Sequence, residues 1–249
     1  MNKNDTLRQI WLAAVLLTRL PLPHLPANAF ARGANAVWAY PLVGAGVGLA
    51  GMAAAQVALA LGLPQLGAAA LGLAAMMLMT GAMHEDGLAD LFDGFWGGFT
   101  PERRLEIMRD SQIGTYGVLA LIGVFTLRLS AVAALLDQNP LALVAAAALS
   151  RAMMPLVMAA LPNARRDGLS RSVGRPEGTT VTISLAIALV VALLCLGAVG
   201  VTALLVALAV SAGVAALARA KIGGQTGDVL GATQQLGEAA VLLTCTALL

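Results

Sequence analysis

Long apolar runs separated by short polar segments dominate the chain from about residue 37 onward. A helix needs roughly 20 apolar residues to cross the hydrocarbon core of a bilayer, and lipid favours helices because they satisfy their own backbone polar groups. The pattern therefore predicts an all-α fold, a polytopic transmembrane helical bundle of about six or seven spans. The predicted spans cover 37–60, 64–83, 114–136, 140–161, 180–197, 199–218 and 229–249.

Two predicted helices lie outside these spans. Residues 7–20 form an amphipathic stretch that is too short to cross comfortably, so we expect an interfacial or re-entrant helix that ends before Pro21. Residues 83–98, MHEDGLADLFDGFWGG, mix acidic side chains with Leu, Phe and Trp, which predicts an amphipathic acidic helix on the cytoplasmic side. The weakest predicted span is 229–249, because its first half is polar.

Composition supports a membrane protein. The chain is 59% hydrophobic and 11% charged, whereas a soluble domain carries about 25% charged residues. The expected surroundings are therefore a lipid bilayer, and a net charge of +2 gives no reason to expect nucleic acid as a partner. The length predicts a single integral membrane domain over residues 1–249. The oligomeric state stays open, and a homo-oligomer is compatible with the sequence.

The basic residues predict an orientation. Thirteen of the fifteen Lys and Arg residues precede the first predicted span or lie between spans two and three, four and five, or six and seven. The positive-inside rule places these alternate connections in the cytoplasm. We therefore expect a multi-pass protein of the cell inner membrane whose polar motifs face the cytoplasm. The other two basic residues, Arg128 and Arg151, lie within predicted spans.

Seven of the thirteen acidic residues lie between positions 85 and 110. Asp86, Asp90 and Asp93 have the i, i+4, i+7 spacing that places them on one face of a helix. Stacked carboxylates repel one another and need a cation, and Mg²⁺ is commonly held by a few carboxylates together with substrate phosphates. We therefore predict that these three aspartates are catalytic and bind Mg²⁺. Glycines on the same helix would let a phosphate approach its backbone.

The plainer interpretation of this segment is an acidic loop whose charges keep it in water. A solvated acidic loop would not carry Leu, Phe and Trp among its acids, so we favour the functional one. His84 adjoins the cluster, but a lone histidine is more often a structural hydrogen-bond partner than a metal ligand. Zinc is disfavoured because no further His or Cys accompanies it.

A second polar cluster, KIGGQTGDVLGATQQLGE at 221–238, lies in another predicted cytoplasmic connection. Glycine-rich backbone ahead of a helix can hold phosphate. The expected substrate-binding residues here are Gly224, Gln225, Thr226, Gly227 and Asp228. Asp228 is also a fourth candidate metal ligand, with a helix cap as its alternative role. Polar residues recur at helical spacing from Asp228 to Glu238, which predicts a stripe that faces a cavity or another helix.

Two arginines are candidate phosphate ligands. Arg109 follows the acidic helix, and a guanidinium can grip phosphate through two parallel hydrogen bonds. Its alternative role is an ion pair with a glutamate of its own helix. Arg151 lies near the middle of a span, where an arginine marks a functional site. Its alternative partner is a carboxylate of the bundle such as Glu238.

Six motifs, in this order and over nearly the whole chain, resemble the cobalamin-5'-phosphate synthase family, also called adenosylcobinamide-GDP ribazoletransferase. They are TRLPLP (18–23), YPLVG (40–44), MHEDGLADLFDG (83–94), RLEIMRDSQIGTYG (104–117), LSRAMMP (149–155) and GGQTGDVLGA (223–232). The combination is specific, although each motif alone is not. The acidic motif of the family reads H-x-D-G-x-x-D-x-x-D-G. His84, Asp86, Asp90 and Asp93 match it, whereas Glu85 falls on a position that need not be acidic.

The resemblance implies a transferase that completes adenosylcobalamin biosynthesis. Its substrates would be adenosylcobinamide-GDP and α-ribazole or α-ribazole-5'-phosphate, its leaving group GMP and its cofactor Mg²⁺. An alternative enzyme class, the CDP-alcohol phosphotransferases, continues D-x-x-D-G-x-x-A-R, but Gly97 and Gly98 stand where Ala-Arg is required. A transporter is the alternative outside enzymes, and neither an inverted repeat nor acids at mid-membrane depth support it.

Overall fold

The structure is a computed structural model that describes residues 3–23, 25, 30 and 33–249. Within those residues it contains helices and no β-strand beyond one isolated bridge. The helices are α1 (Lys3–Leu17), α2 (Tyr40–Ala60), α3 (Gln65–Thr80), α4 (Met83–Gly97), α5 (Pro101–Ile107), α6 (Thr115–Leu135), α7 (Ala142–Ala160), α8 (Leu169–Val173), α9 (Gly178–Leu196), α10 (Val199–Ile222) and α11 (Gly227–Leu248), with short 3-10 turns at Gly33–Asn35 and Val37–Ala39. The predicted all-α class is confirmed.

The seven predicted spans correspond to α2, α3, α6, α7, α9, α10 and α11, with ends displaced by a few residues. Of the described helices, five are long and apolar enough to cross a membrane, and six if the bent pair of α3 and α4 counts as one span. The helix α11 is 22 residues long but is not among those five. Its polar stripe lowers its mean hydropathy, which is why the sequence made it the weakest span.

The centre of the bundle is α7, which is buried along most of its length and packs against α2, α9 and α11. Small residues bring the helices together, as expected where lipid gives helices no hydrophobic reason to associate. On α2, a side chain at Gly48 would lie 2.7 Å from the backbone oxygen of Leu143 on α7. The close α2–α7 contact therefore depends on glycine.

An 88° bend separates α3 from α4. Gly81 ends α3 with a left-handed backbone, and Ala82 follows with φ of 55°, a conformation that a residue with a Cβ seldom adopts. The bend turns the acidic helix away from the span before it. The predicted amphipathic helix is thus confirmed as α4, with His84, Leu88, Leu91 and Phe95 buried. The interpretation as a solvated acidic loop is wrong.

One end of the bundle gathers the connections that carry the basic residues and the sequence motifs. The segments between α3 and α6, between α7 and α9, and between α10 and α11 lie there. Two long antiparallel helices separate each of these segments from the next, so each pair returns the chain to the same end. The helix α11 starts at this end and passes between α4, α6, α7 and α10. The N-terminal helix α1 is 15 residues long and packs against α2.

Candidate active site

The site is built on a close crossing of α4 and α11. A side chain at Gly87 would lie 3.0 Å from the Asp228 Cα, and one at Gly231 would lie 3.2 Å from the backbone oxygen of His84. These glycines let the two backbones touch, so that the acidic helix meets the start of α11. The expectation that α4 glycines admit a phosphate is wrong for Gly87 and Gly94, because protein atoms fill both places.

A cavity of about 220 Å³ opens beside this crossing. Its apolar lining includes Leu16, Leu17, Tyr40, Met154, Met158 and Val173. Its polar lining includes His84, Asp86, Arg165, Ser170, Gln225, Thr226, Gly227 and Asp228. Both sequence motifs therefore contribute to one cavity, which combines an apolar wall with carboxylates, an arginine and a helix N-terminus.

Three of the four predicted metal ligands are close to one another. Asp86 is exposed and lines the cavity with Asp228, and Asp90 is half-buried one helical turn further along α4. Burial, followed by the neighbouring carboxylates of Asp228 and Asp86, raises the pKa of Asp90 from an ordinary 3.8 to about 7. Asp90 lies on α4, which is not one of the five helices that are long and apolar enough to cross a membrane. A cation near Asp90 would therefore be favourable, and metal binding by these carboxylates stays a prediction.

Asp93 has a different environment. It is buried, and its two carboxylate oxygens accept hydrogen bonds from the backbone N–H groups of Gly114 (2.7 Å) and Gly117 (2.8 Å) at the start of α6. A side chain at either glycine would collide with the Asp93 carboxylate. An acid at a helix N-terminus also interacts favourably with the helix dipole. Asp93 therefore joins α4 to α6, and its role as a metal ligand stays a prediction.

The residues fit a partly hydrated Mg²⁺ better than an enclosed metal cage. Residues 3–23, 25, 30 and 33–249 hold no group of three or more His, Cys, Asp or Glu side chains that could together bind a metal ion. Mg²⁺ usually keeps several waters and takes one or two carboxylates plus substrate phosphate oxygens. Asp86 and Asp228 line the cavity and could supply two such oxygens. Asp90 lies one helical turn from Asp86, where burial and the neighbouring carboxylates make a nearby cation favourable.

Sequence reasoning missed Arg165, which it used only as a marker of orientation. One terminal nitrogen lies 3.1 Å from the Asp228 carboxylate, and the other donates to the backbone oxygen of Leu105 at 3.2 Å. Within the described residues, its Nε is buried and has no hydrogen-bond partner. A basic residue just after a predicted span was the only available signal, and it does not identify a partner far away in the chain.

The glycine-rich segment before α11 is partly used for structure. A side chain at Gly224 would collide with Pro162, and Gln225 binds Ser170 (2.6 Å) and Asn163 (2.6 Å) through its side chain. The backbone of this segment also pairs with 162–164. Gly224 and Gln225 thus join two connections, although Gln225 also lines the cavity.

The start of α11 itself remains available to a ligand. Thr226 caps the helix by accepting from the Val229 N–H at 3.3 Å and also contacts the Asp228 carboxylate at 3.1 Å. The cap is therefore Thr226, and the alternative role of Asp228 as the cap is wrong. Beside Gly227, no described atom lies within 4 Å of the place where a side chain would be. Phosphate binding at Gly227 remains a prediction.

The two predicted phosphate arginines are not in the cavity lining. Arg109 is half-exposed and forms an ion pair with Asp167, which does line the cavity. The alternative, intrahelical pairing of arginine with glutamate in this segment, is confirmed for Arg103 and Glu106 at 3.0 Å but not for Arg109. Arg151 is buried and contacts Glu238 at 3.4 Å and the backbone oxygen of Ala147 at 3.1 Å. This contact confirms the alternative partner expected for Arg151.

Arg151 belongs to a buried charge network beneath the cavity. The core of the network is the pair of Arg128 with Glu238 at 2.5 Å, and Arg128 also lies 3.3 Å from Glu85 and 2.6 Å from Gln235. Two arginines and two glutamates balance in charge, so the network can be buried as a neutral unit. It joins α4, α6, α7 and α11. The predicted polar stripe on α11 therefore faces other helices, as expected.

His84 is the remaining polar group of the acidic motif. Its side chain is 1% exposed and lines the cavity. Neither ring nitrogen has a hydrogen-bond partner within the part of the chain that the structure describes. Buried polar groups are rarely left unpaired, so an unpaired histidine in a cavity wall points to water or a ligand in that cavity.

The sequence pattern of the family described as cobalamin-5-phosphate synthase matches residues 9–246. The chain belongs to the cobalamin-5-phosphate synthase family. This membership decides against the CDP-alcohol phosphotransferase and transporter interpretations. Within the family fold, the acidic motif on α4 and the glycine-rich motif before α11 meet at the cavity.

Relatives in the family are similar over their full length. A protein of Bradyrhizobium diazoefficiens named adenosylcobinamide-GDP ribazoletransferase is 47% identical over 248 residues, which are 98% of this chain and 95% of that protein. Proteins of the same name from Azorhizobium caulinodans and a Sinorhizobium species are 45% and 46% identical and match 98% and 91% of this chain. The matched regions cover 97% and 91% of those two proteins, respectively. No solved structure is significantly similar to the chain.

Proposed function

We propose that this protein is an adenosylcobinamide-GDP ribazoletransferase, an Mg²⁺-dependent membrane enzyme that acts in cobalamin biosynthesis. Its substrates are adenosylcobinamide-GDP and α-ribazole or α-ribazole-5'-phosphate, and it releases GMP. The observation that carries the proposal is the meeting of the two family motifs at one cavity beside the Gly87–Gly231 crossing. The names of relatives that match nearly the whole chain support the same activity.

The residues that would hold Mg²⁺ are Asp86, Asp90 and Asp228, with Asp93 setting the position of α4 against α6. The metal would supply charge neutralisation at the phosphate groups, where negative charge develops as GMP leaves. Asp228 already neutralises Arg165 at 3.1 Å, so the carboxylates and this guanidinium form a site with charges of both signs.

The protein's part in the reaction is to bring the diphosphate of adenosylcobinamide-GDP and the ribazole hydroxyl together. The hydroxyl attacks the cobinamide-linked phosphorus and releases its proton to water, a new P–O bond forms, and the P–O bond to GMP breaks. The N-terminus of α11 at Gly227 faces the cavity and can hold a phosphate oxygen through backbone N–H groups. The apolar wall formed by Leu16, Tyr40 and Met154 suits the ring system of the ribazole base and excludes water.

The location follows from the same geometry. We propose that the protein is inserted in the cell inner membrane with the cavity open to the cytoplasm. All connections that carry clustered basic residues lie at the cavity end of the bundle, and the opposite turns carry none. The positive-inside rule relates that asymmetry to a cytoplasmic orientation.

The activity is tested with purified protein in detergent. Incubation with adenosylcobinamide-GDP and Mg²⁺ should release GMP only when α-ribazole or α-ribazole-5'-phosphate is added, and removal of Mg²⁺ with a chelator should stop release. GMP release without any ribazole would indicate a hydrolase, and no release with either acceptor would contradict the proposal.

A further inference from the structure

We propose that Arg165 exchanges partners during turnover. In the substrate-free protein it neutralises Asp228, and when Mg²⁺ occupies the carboxylates it turns to a phosphate group of the bound nucleotide. The inference rests on the proposed function, and it assigns to Arg165 the phosphate-binding role that the sequence analysis had given to Arg109 and Arg151.

The present partner of Arg165 is the first observation. Its guanidinium lies 3.1 Å from the Asp228 carboxylate, where it supplies the cation that the acidic cluster needs. A carboxylate that already binds an arginine is a weaker metal ligand, because the metal must displace a charge of the same sign. Arg165 and Mg²⁺ therefore compete for Asp228.

The second observation is an unused donor. The guanidinium has five N–H donors in a planar fork, which suits phosphate better than the point charge of a lysine does. Only the two terminal nitrogens of Arg165 have acceptors among the described residues, and Nε is buried without one. Buried donors are normally satisfied, so this side chain has capacity for a further acceptor.

The third observation is the place from which Arg165 would act. Its backbone is fixed, because the adjacent Ala164 donates from its N–H to the Gln225 backbone oxygen at 2.9 Å. Rotation of the side chain alone would therefore change its partner. The cavity it lines also contains Gly227 and the α11 N-terminus, where a phosphate can bind. A phosphate held there would be adjacent to the guanidinium and to any metal on Asp228.

Two measurements test the exchange of partners, because loss of Arg165 should strengthen metal binding and weaken substrate binding. In substrate-free protein, Mn²⁺ titrated by electron paramagnetic resonance serves as the metal probe, and Arg165→Gln should bind it on the order of tenfold more tightly than wild type because the competing charge is gone. In the GMP-release assay the same variant should show a KM for adenosylcobinamide-GDP raised on the order of tenfold or more.

The matched control is Arg166→Gln. Arg166 is exposed, is next in the chain, and forms no side-chain hydrogen bond or ion pair with any described residue. The Arg166→Gln substitution removes the same charge from the same loop. Equal Mn²⁺ affinities for the two variants would therefore overturn the competition at Asp228.

Arg165→Lys keeps the test decisive if the glutamine variant does not fold. Lysine retains the charge but not the fork, so Mn²⁺ affinity should stay within about threefold of wild type while the KM rises. An unchanged KM would overturn the phosphate role. If wild-type protein releases no GMP, the proposed function fails, whereas the Mn²⁺ measurement still decides the competition.

Discussion

At the scale of single residues, aspartates one or two turns apart on one helix have different surroundings. Asp90 is half-buried near the carboxylates of Asp86 and Asp228, whereas Asp93 is buried and accepts two backbone hydrogen bonds from the start of α6. The first environment disfavours a negative charge and the second favours it. Their substitutions should therefore have different consequences.

We predict that Asp90→Asn loses activity but not stability. The substitution removes a proposed metal ligand, so GMP release should fall on the order of a hundredfold or more. A repelled charge is also removed, so the apparent melting temperature in detergent should stay equal or rise slightly. Near-normal turnover would exclude Asp90 from the mechanism.

Asp93→Asn, in contrast to Asp90→Asn, should lower the stability of the protein. The amide offers only one acceptor oxygen to the two N–H groups of Gly114 and Gly117, so a buried donor is left unpaired at a cost of about 1–3 kcal/mol. Thermal unfolding should reveal this loss. A variant that is as stable as wild type but has no activity would indicate instead that Asp93 binds the metal directly.

At the scale of helices, the site depends on how closely α4 and α11 approach. The sequence predicted both helices, the acidic face and the polar stripe, because these follow from spacing along each helix. It could not predict that Gly87 faces Gly231, or that Arg165 reaches Asp228, because those contacts join segments distant in the chain. For the same reason the glycines were assigned to a ligand instead of to a neighbouring helix.

We predict that Gly87→Ala pushes α4 from α11. The added methyl group would lie 3.0 Å from the Asp228 Cα, so backbone must move, at a cost of about 1–3 kcal/mol. Mn²⁺ affinity and GMP release should both fall. Gly123→Ala on α6 is the control, because no described atom lies within 4 Å of its added carbon and it should be close to neutral. Equal behaviour of the two variants would contradict the close crossing.

The buried charge network gives a second prediction at this scale. Arg151→Met leaves one glutamate charge uncompensated among α4, α6, α7 and α11, and should destabilise the protein by about 3–5 kcal/mol. Adding Glu85→Gln restores neutrality and keeps the 2.5 Å pair of Arg128 and Glu238, so part of the stability should return. Thermal unfolding of the single and double variants measures the recovery.

Arg151→Lys distinguishes the network from a phosphate role. The substitution keeps the charge that Glu238 requires, and the residue is not in the cavity lining, so activity should stay near that of wild type. A large fall in kcat with unchanged stability would show instead that the guanidinium fork is needed by a substrate.

At the scale of the whole molecule, the bundle has one chemically active end. The turns at the other end are short, and the connections at the cavity end carry the motifs, the arginines and the small helices α5 and α8. The apolar pattern predicted the helices and their alternation well, because membrane crossing imposes a minimum length. It contained no information on α5, α8 or the cavity, whose positions depend on tertiary contacts.

We predict that cysteines placed at Gln138 and Arg171 label from opposite faces of the membrane. Both positions are exposed, Gln138 in the turn between α6 and α7 and Arg171 on the short helix α8 at the opposite end of the bundle. The native Cys195 and Cys245 should first be replaced by alanine, so that only the new thiol reacts. A reagent that cannot cross the membrane should reach the cysteine at 138 in intact cells, and that at 171 only after lysis. Labelling of both from outside would overturn the orientation.

The position of α11 has a consequence for how the protein is made. This helix contributes Asp228 and the buried charges, and its neighbours α4, α6, α7 and α10 all precede it in the chain. These helices are therefore synthesised before the helix that completes the polar wall of the cavity. Glutamine and glutamate give α11 little tendency to enter lipid on its own. We therefore expect its insertion to depend on Arg128 and Arg151, which lie on helices made earlier, so that the site is complete only after α11 has inserted.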